Sequence, residues 1–233
     1  MPPKTALKAI LFDLDNTLID FMRFKRETAR AAARAMVKKG LPDTQAEIYR
    51  KIFEIYDQYG IEYQKTFYKV IFPYKLEIGK AERIQQAAII AYLKRKFSVL
   101  KPYPSVKPIL KILKKRSKIG IVTDAPRNKA WQRLVLCGLD DIFDVVVTTD
   151  DAGKKKPHKA PFNIALSKLK VKTSEALFVG DNVDRDMAGA KRLGMKTCLA
   201  EYGADRRKVK RVKPDYRIKD FKEIIKIIME SNY

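Results

Sequence analysis

Histidine is all but missing. His158 is the single copy in 233 residues, which excludes a multi-histidine metal centre and leaves a Ser/His/Asp mechanism without a ready base. Cysteine is scarce too: Cys137 and Cys198 are the only two. Both lie in apolar stretches without metal-ligand spacing, so two buried free thiols are expected. No long apolar run occurs. Runs such as residues 87–91 fall far short of the ~20 residues a membrane span requires, and the N-terminal residues lead into a strand-like segment with no signal-peptide pattern. These absences predict a cytoplasmic protein with no membrane partner. Acidic residues are outnumbered, 27 against 50 Lys and Arg, giving a formal charge of +23. Such a charge attracts anions over long range and opposes self-association, which predicts a monomer or weak dimer. A small phosphorylated substrate suits it, as does a nucleic acid, the less favoured partner. A lysine-rich surface is also simply a compositional trait of some thermophiles.

What is present is enough for a core domain plus an insertion, since hydrophobic residues make up 46% of the chain and its length exceeds one median domain. Residues 7–12 are an apolar run ending at Asp13, read as a buried strand. Residues 21–39 are rich in Ala and Arg and end at Gly40, a helix stop. Helical periodicity continues through residues 43–97 with few strand signals. The prolines of Lys101-Pro102-Tyr103-Pro104-Ser105 break both regular structures and mark a linker. Beyond it, apolar strands near 119–123, 144–148, 176–180 and 195–199 alternate with helices of about ten residues, which specifies a parallel sheet covered on both faces. The N-terminal strand belongs in that sheet. The expected fold is therefore α/β, a Rossmann-like three-layer core from residues 1–19 and 99–233, with an inserted α-helical domain at residues 20–98.

Ligand sites of parallel α/β sheets form outside the carboxyl ends of the strands. Four of the expected strands lead into polar residues there: Asp13 and Asp15 after the first, Thr123 after the second, the loop carrying Lys154, Lys155 and Lys156 after the third, and Asp181 with Asp186 after the fourth. Packing would prefer none of these. Chemistry accounts for the set. Asp13, Asp181 and Asp186 offer hard oxygen ligands suited to Mg²⁺. The cation and one lysine would offset the repulsion between these carboxylates and a phosphate, about 4 kcal/mol per unit-charge pair ~4 Å apart at an effective dielectric of about 20. Thr123 can hydrogen-bond a phosphate oxygen. Asp13 is ionised at neutral pH and needs no base to act as a nucleophile, and Asp15 can protonate a leaving alcohol and then deprotonate water.

Asp13-Leu14-Asp15-Asn16-Thr17 resembles the DxDxT signature of the haloacid dehalogenase (HAD) superfamily. Its other motifs follow in order: Ile121-Val122-Thr123, then Gly153-Lys154-Lys155-Lys156-Pro157, then Gly180-Asp181-Asn182-Val183-Asp184-Arg185-Asp186. The resemblance covers essentially the whole chain. It picks Lys156 from the three lysines and implies that Asp13 is nucleophile, Asp15 acid/base and Asp181 a metal ligand. It also implies that the Asp15 carbonyl binds the metal, that Asp186 is a direct or water-mediated ligand, and that the helical insertion is a cap. Alternatives stay open at several positions. Asp184 is either a helix cap or the metal residue in place of Asp186. His158 either faces the site or is a plain loop residue. Asp124 stands where many relatives have Asn or Ser, and its role is open. Asn182 is a candidate to orient the neighbouring aspartates.

Asp15 argues for oxygen leaving groups, because the dehalogenase branch lacks an acid there. The absence of histidine before residue 158 argues against a sugar phosphomutase. The stretch from Thr123 through Trp131, with Lys156-Pro157-His158, looks most like archaeal phosphatases, some named for glyceraldehyde 3-phosphate. The resemblance thus implies a Mg²⁺-dependent phosphatase on a small phosphorylated metabolite, acting through a phosphoaspartyl intermediate. Two alternatives draw on the basic run at residues 206–213: a phosphatase on polynucleotide ends, and an RNA-binding protein on a silent fold. The cap is expected to hinge at residues 17–20 and 100–105 and to exclude water on closing. Arg23, Lys25 and Arg26 are cap candidates for substrate contact.

Overall fold

The computed structural model describes residues 6–204 and 212–231. Its chain divides into two compact units, Met1–Phe21 with Lys101–Tyr233, and Met22–Leu100. The basic run at 206–213 falls outside the described residues except for Val212 and Lys213.

The first unit is built on a sheet of six strands among the described residues. These are β1 (Ala9–Phe12), β2 (Lys118–Val122), β3 (Val145–Val147), β4 (Ala176–Gly180), β5 (Lys196–Ala200) and β6 (Tyr216–Ile218), in the spatial order β3-β2-β1-β4-β5-β6. Every adjacent pair is parallel. The central strands β1 and β4 are buried along their whole length. That explains their unbroken apolar composition, since a parallel sheet covered on both faces leaves no position for alternating polar residues. The order reverses between β1 and β4. Connections run to opposite sides from that point, so the loops leaving the two strands diverge and open a crevice at their carboxyl ends.

The helices that follow residue 101 cover both faces of the sheet. In chain order, α1 (Phe21–Lys38), α2 (Gln45–Tyr59), α3 (Thr66–Ile71) and α4 (Ile78–Val99) come between β1 and β2, with α5 (Val106–Lys114). Then come α6 (Arg127–Cys137), α7 (Thr149–Ala152), α8 (Lys159–Leu169), α9 (Ala188–Arg192) and α10 (Ile224–Ser231). On one face of the sheet Leu11, Val122, Val147 and Phe178 join Phe162 and Leu166 of α8 in a single buried cluster. On the other, Phe12 meets Phe221, ring centroids 5.8 Å apart, and α5 packs against β2. Cys137 and Cys198 are both buried free thiols. Burial pushes each up to about 12, so both are unreactive as thiolates near neutral pH.

The Met22–Leu100 unit has its own core. Ala29, Ala32, Ala33 and Met36 repeat at helical spacing on α1 and pack with Ile48, Ile52, Ile84 and Ala88 of α2 and α4. Three alanines on one stripe leave little side chain between the helices, which permits close approach. Thr44 caps α2 by accepting the Glu47 N–H, and Gly60 ends it at φ 92°. Both limits of the unit are shifted two residues toward the C-terminus from the expected 20–98. Phe21 and Lys101 remain with the sheet because the two connecting segments pair there: Ile19 bridges Pro102, and Tyr103 N–H donates to the Leu18 carbonyl at 2.9 Å.

Three elements have no counterpart in the sequence reading: β6, α10 and the four-residue α7. Each is short. β6 is an edge strand of three residues with Arg217 exposed at its centre, too brief for periodicity to register. No helix among the described residues is long and apolar enough to cross a membrane.

Candidate active site

Asp13 follows β1 directly, and its N–H still donates to Val179 O at 2.9 Å, so the ladder fixes its main chain. The chain then turns sharply. Asn16 takes a left-handed φ of 60°, which asparagine tolerates better than most residues, and Asn16 N–H closes onto Ile19 O at 2.8 Å. The turn brings Thr17 Oγ1 within 3.4 Å of Asp13 Oδ2. The loop after β5 buttresses it from outside. Tyr202 Oη donates to Thr17 O at 2.7 Å, and a Cβ on Gly203 would overlap the Asn16 carbonyl oxygen. Only glycine permits that approach.

Lys156 reaches the same point from the loop between α7 and α8. Its buried ammonium donates to Asp13 Oδ1 at 2.5 Å and to Val122 O at 2.9 Å, and lies 2.8 Å from Asp186 Oδ1. Asp124 secures that loop. One of its oxygens accepts the Lys156 N–H at 2.9 Å and the other pairs with Arg185 at 3.2 Å. This gives a structural role to a residue whose part the sequence left open. Thr123 is buried, and its Oγ1 accepts from Ala125 N–H at 3.2 Å. With a lone pair so engaged, its single O–H is the group left to donate.

Asp181 and Asp186 come from the turn after β4. Asn182 caps that turn, its Oδ1 accepting from Asp184 N–H and Arg185 N–H. It orients Asp186 by its main chain, donating its N–H to Asp186 Oδ2 at 2.9 Å. Asp184 is exposed, whereas Asp186 is buried and faces inward. His158 caps α8, its Nδ1 accepting the Ala160 N–H at 3.1 Å, and is likewise exposed. Lys154 and Lys155 are exposed as well.

Asp13, Asp181 and Asp186 each offer a carboxylate oxygen within 4.8 Å of the others. Burial, with repulsion from Asp186 and Asp15, pushes Asp13 up to about 7 against the pull of Lys156. Burial, then Asp186 and Asp13, push Asp181 well above the usual carboxylate range. Burial alone would lower Lys156, but Asp13, Asp186 and Asp124 outweigh it and hold the ammonium above the ordinary lysine range. One lysine therefore faces three buried acids. Hard oxygen donors so clustered and short of positive charge fit a divalent cation such as Mg²⁺.

Gly180 is part of that fit. A Cβ there would run into the carboxylate and Cβ of Asp186. Gly180→Ala is expected to lower stability by about 1–3 kcal/mol through overpacking. By displacing Asp186 it should also weaken Mg²⁺ binding roughly 10–100-fold, the scale of losing an outer support of a metal site. Denaturant titration and Mg²⁺ calorimetry check both. Unchanged affinity would show that Asp186 does not need this position.

Asp15 stands apart from the three clustered acids. Its Oδ2 accepts from Arg133 of α6 at 2.5 Å. Sequence reasoning passed over Arg133, and also Thr17 as a separate contributor. The signal for Arg133 was its position in the stripe Ala130, Arg133, Leu134, Cys137, where an apolar residue belongs; all four are buried.

The haloacid dehalogenase-like hydrolase profile matches residues 10–200. Glyceraldehyde 3-phosphate phosphatase of Methanopyrus kandleri is 34% identical over 230 residues, covering 96% of this chain and 98% of the relative. The enzyme of that name from Pyrococcus furiosus is 32% identical over 229 residues, 97% and 95% of the two chains. Among solved structures, a HAD phosphatase from Thermococcus onnurineus superposes with a TM-score of 0.66 at 29% identity, covering 95% of this chain and 98% of that one. The magnesium-bound HAD-hydrolase YfnB of Bacillus subtilis gives 0.71 at 20% identity, with 96% and 99% coverage, a likeness of fold alone.

Proposed function

The chain belongs to the haloacid dehalogenase-like hydrolases, and from that premise we propose that it is a phosphatase of small phosphorylated metabolites, with a triose or sugar phosphate as the leading class. The observation that carries this reading is the buried group of Asp13, Asp181, Asp186 and Lys156 at the switch point of the sheet. The names of the relatives support the substrate class. Asp13, Asp181 and Asp186 would hold the Mg²⁺, with the Asp15 main-chain carbonyl as a further ligand. When bound, the ion supplies positive charge against the phosphate dianion.

The chain's own residues do the rest. Lys156 and the Thr123 hydroxyl bind phosphate oxygens and orient the ester. An Asp13 carboxylate oxygen attacks phosphorus, a P–O bond forms to Asp13, and the bond to the leaving oxygen breaks. Asp15 gives its proton to that oxygen, releasing the alcohol. Asp15, now a carboxylate, takes a proton from water as the water oxygen attacks phosphorus. The Asp13–phosphorus bond breaks, returning Asp13 and inorganic phosphate. Lys156 and Thr17 keep Asp13 in place throughout.

Selectivity is assigned to the helical unit, acting as a cap. A panel of phosphate esters with Mg²⁺ tests the proposal. The expected result is preference for small phosphorylated aldehydes and sugars over nucleotides and oligonucleotide ends. A chain in which residues 22–97 are replaced by a short Gly/Ser linker should lose that ranking. A preference for polynucleotide ends, or no turnover of any ester, would overturn the reading.

A further inference from the structure

An arginine in the inward stripe of a helix is costly unless its charge is met. Arg133 occupies such a place on α6, its side chain only 4% exposed. Two of its contacts bear on this. Its NH1 lies 2.5 Å from Asp15 Oδ2, and its guanidinium carbon sits 4.4 Å from the centre of the Phe21 ring. Asp15 and Arg133 are 118 residues apart in the chain. A guanidinium is planar and rigid, and stacking on an aromatic face fixes its plane. Phe21 is itself buried at the start of α1. Arg133 is thus held from one side by a ring and holds a carboxylate on the other.

We propose that Arg133 is a positioning residue for proton transfer by Asp15. This rests on the phosphatase reading above. A carboxyl group that donates and then recovers a proton needs one oxygen for the proton and benefits from having the other anchored. Oδ2 can accept from Arg133 whether the group is neutral or ionised, so the bond persists through both half-reactions. It anchors the carboxyl group through one oxygen and so limits its rotation while it passes a proton to the leaving oxygen and later takes one from water. A lysine could pair with the charge but lacks the planar group that rests on the Phe21 ring.

The test uses substrates that differ in their need for a proton. An alkyl phosphate expels a strongly basic alkoxide and depends on the acid. para-Nitrophenyl phosphate expels a stable phenolate and scarcely does. The ratio kcat/KM covers only the steps up to release of that group. For Arg133→Met, which keeps bulk on the Phe21 ring, kcat/KM toward glycerol phosphate is expected to fall about 10–100-fold, within the range of general acid catalysis. Toward para-nitrophenyl phosphate it should fall threefold at most. With the second half-reaction slowed, that substrate should show a pre-steady-state burst of nitrophenolate. Arg133→Lys should recover only part of the loss, and in an Asp15→Asn background Arg133→Met should have no further effect on glycerol phosphate. Equal losses on both substrates, or additivity with Asp15→Asn, would overturn the assignment. A wild-type protein that turns over neither substrate would instead overturn the phosphatase reading.

Discussion

Asp13→Asn is expected to abolish turnover, with kcat lower by on the order of 10⁶, the scale seen when a covalent catalyst loses its nucleophile. The amide is nearly the shape of the carboxylate but has no charge to attack with. The fold should survive. Asp13 is buried among like charges and pushed up to about 7, so losing its charge relieves repulsion from Asp186 even as it weakens the bond to Lys156. Lys156 keeps Asp186 at 2.8 Å and Val122 O at 2.9 Å. Thermal melting should therefore shift little. Acid-quenched wild-type enzyme mixed with labelled substrate should carry label on the Asp13 peptide, and the variant should carry none. Retention of even a tenth of wild-type kcat would rule out Asp13 as nucleophile.

Removing divalent cations is expected to end activity, and Mg²⁺ to restore it. The cation should also be visible without turnover. Binding at a concentration of about 100 times Kd adds about 2.7 kcal/mol to stability, or roughly 5–10 °C in Tm for a chain of this size. Asp181→Ala should remove that shift and the activity together. Its metal-free form should melt no lower than the metal-free wild type, because Asp181 is a buried acid raised by burial and by the Asp186 and Asp13 carboxylates. Mg²⁺-dependent melting that is unchanged in the variant would show that the cation binds elsewhere. Full wild-type activity in excess chelator would exclude a metal role altogether.

Much of this arrangement is legible in the amino-acid sequence, for a physical reason. Short apolar strands alternating with amphipathic helices admit one economical packing, a covered parallel sheet, and such a sheet gathers the loops at its carboxyl ends. Residues 7–12, 119–123 and 176–180 announce strands, so Asp13, Thr123 and Asp181 could be placed at one edge by counting. Lys156 needed more. Three lysines in a row are equivalent by charge, and only the resemblance of the Gly153–Pro157 segment to a known motif singled one out. The fold places Lys156 inward and leaves Lys154 and Lys155 exposed.

By itself, then, the amino-acid sequence determined the class of fold, the edge of the sheet where polar residues collect and the types of group found there. Each of these follows from local periodicity and from the ends of apolar runs. Only the tertiary structure decided partner choice. It turned Asp186 rather than Asp184 toward Asp13, because Asn182 caps the turn and donates its N–H to the Asp186 carboxylate. It gave Asp124 to the main chain of Lys156, 32 residues away, and Arg133 to Asp15, 118 residues away. It also added β6 at the edge, where three residues pair with β5. A pairing between distant side chains leaves no period in the sequence. It exists once helices and strands have packed, when a buried charge must find a counter-charge within reach or leave the core.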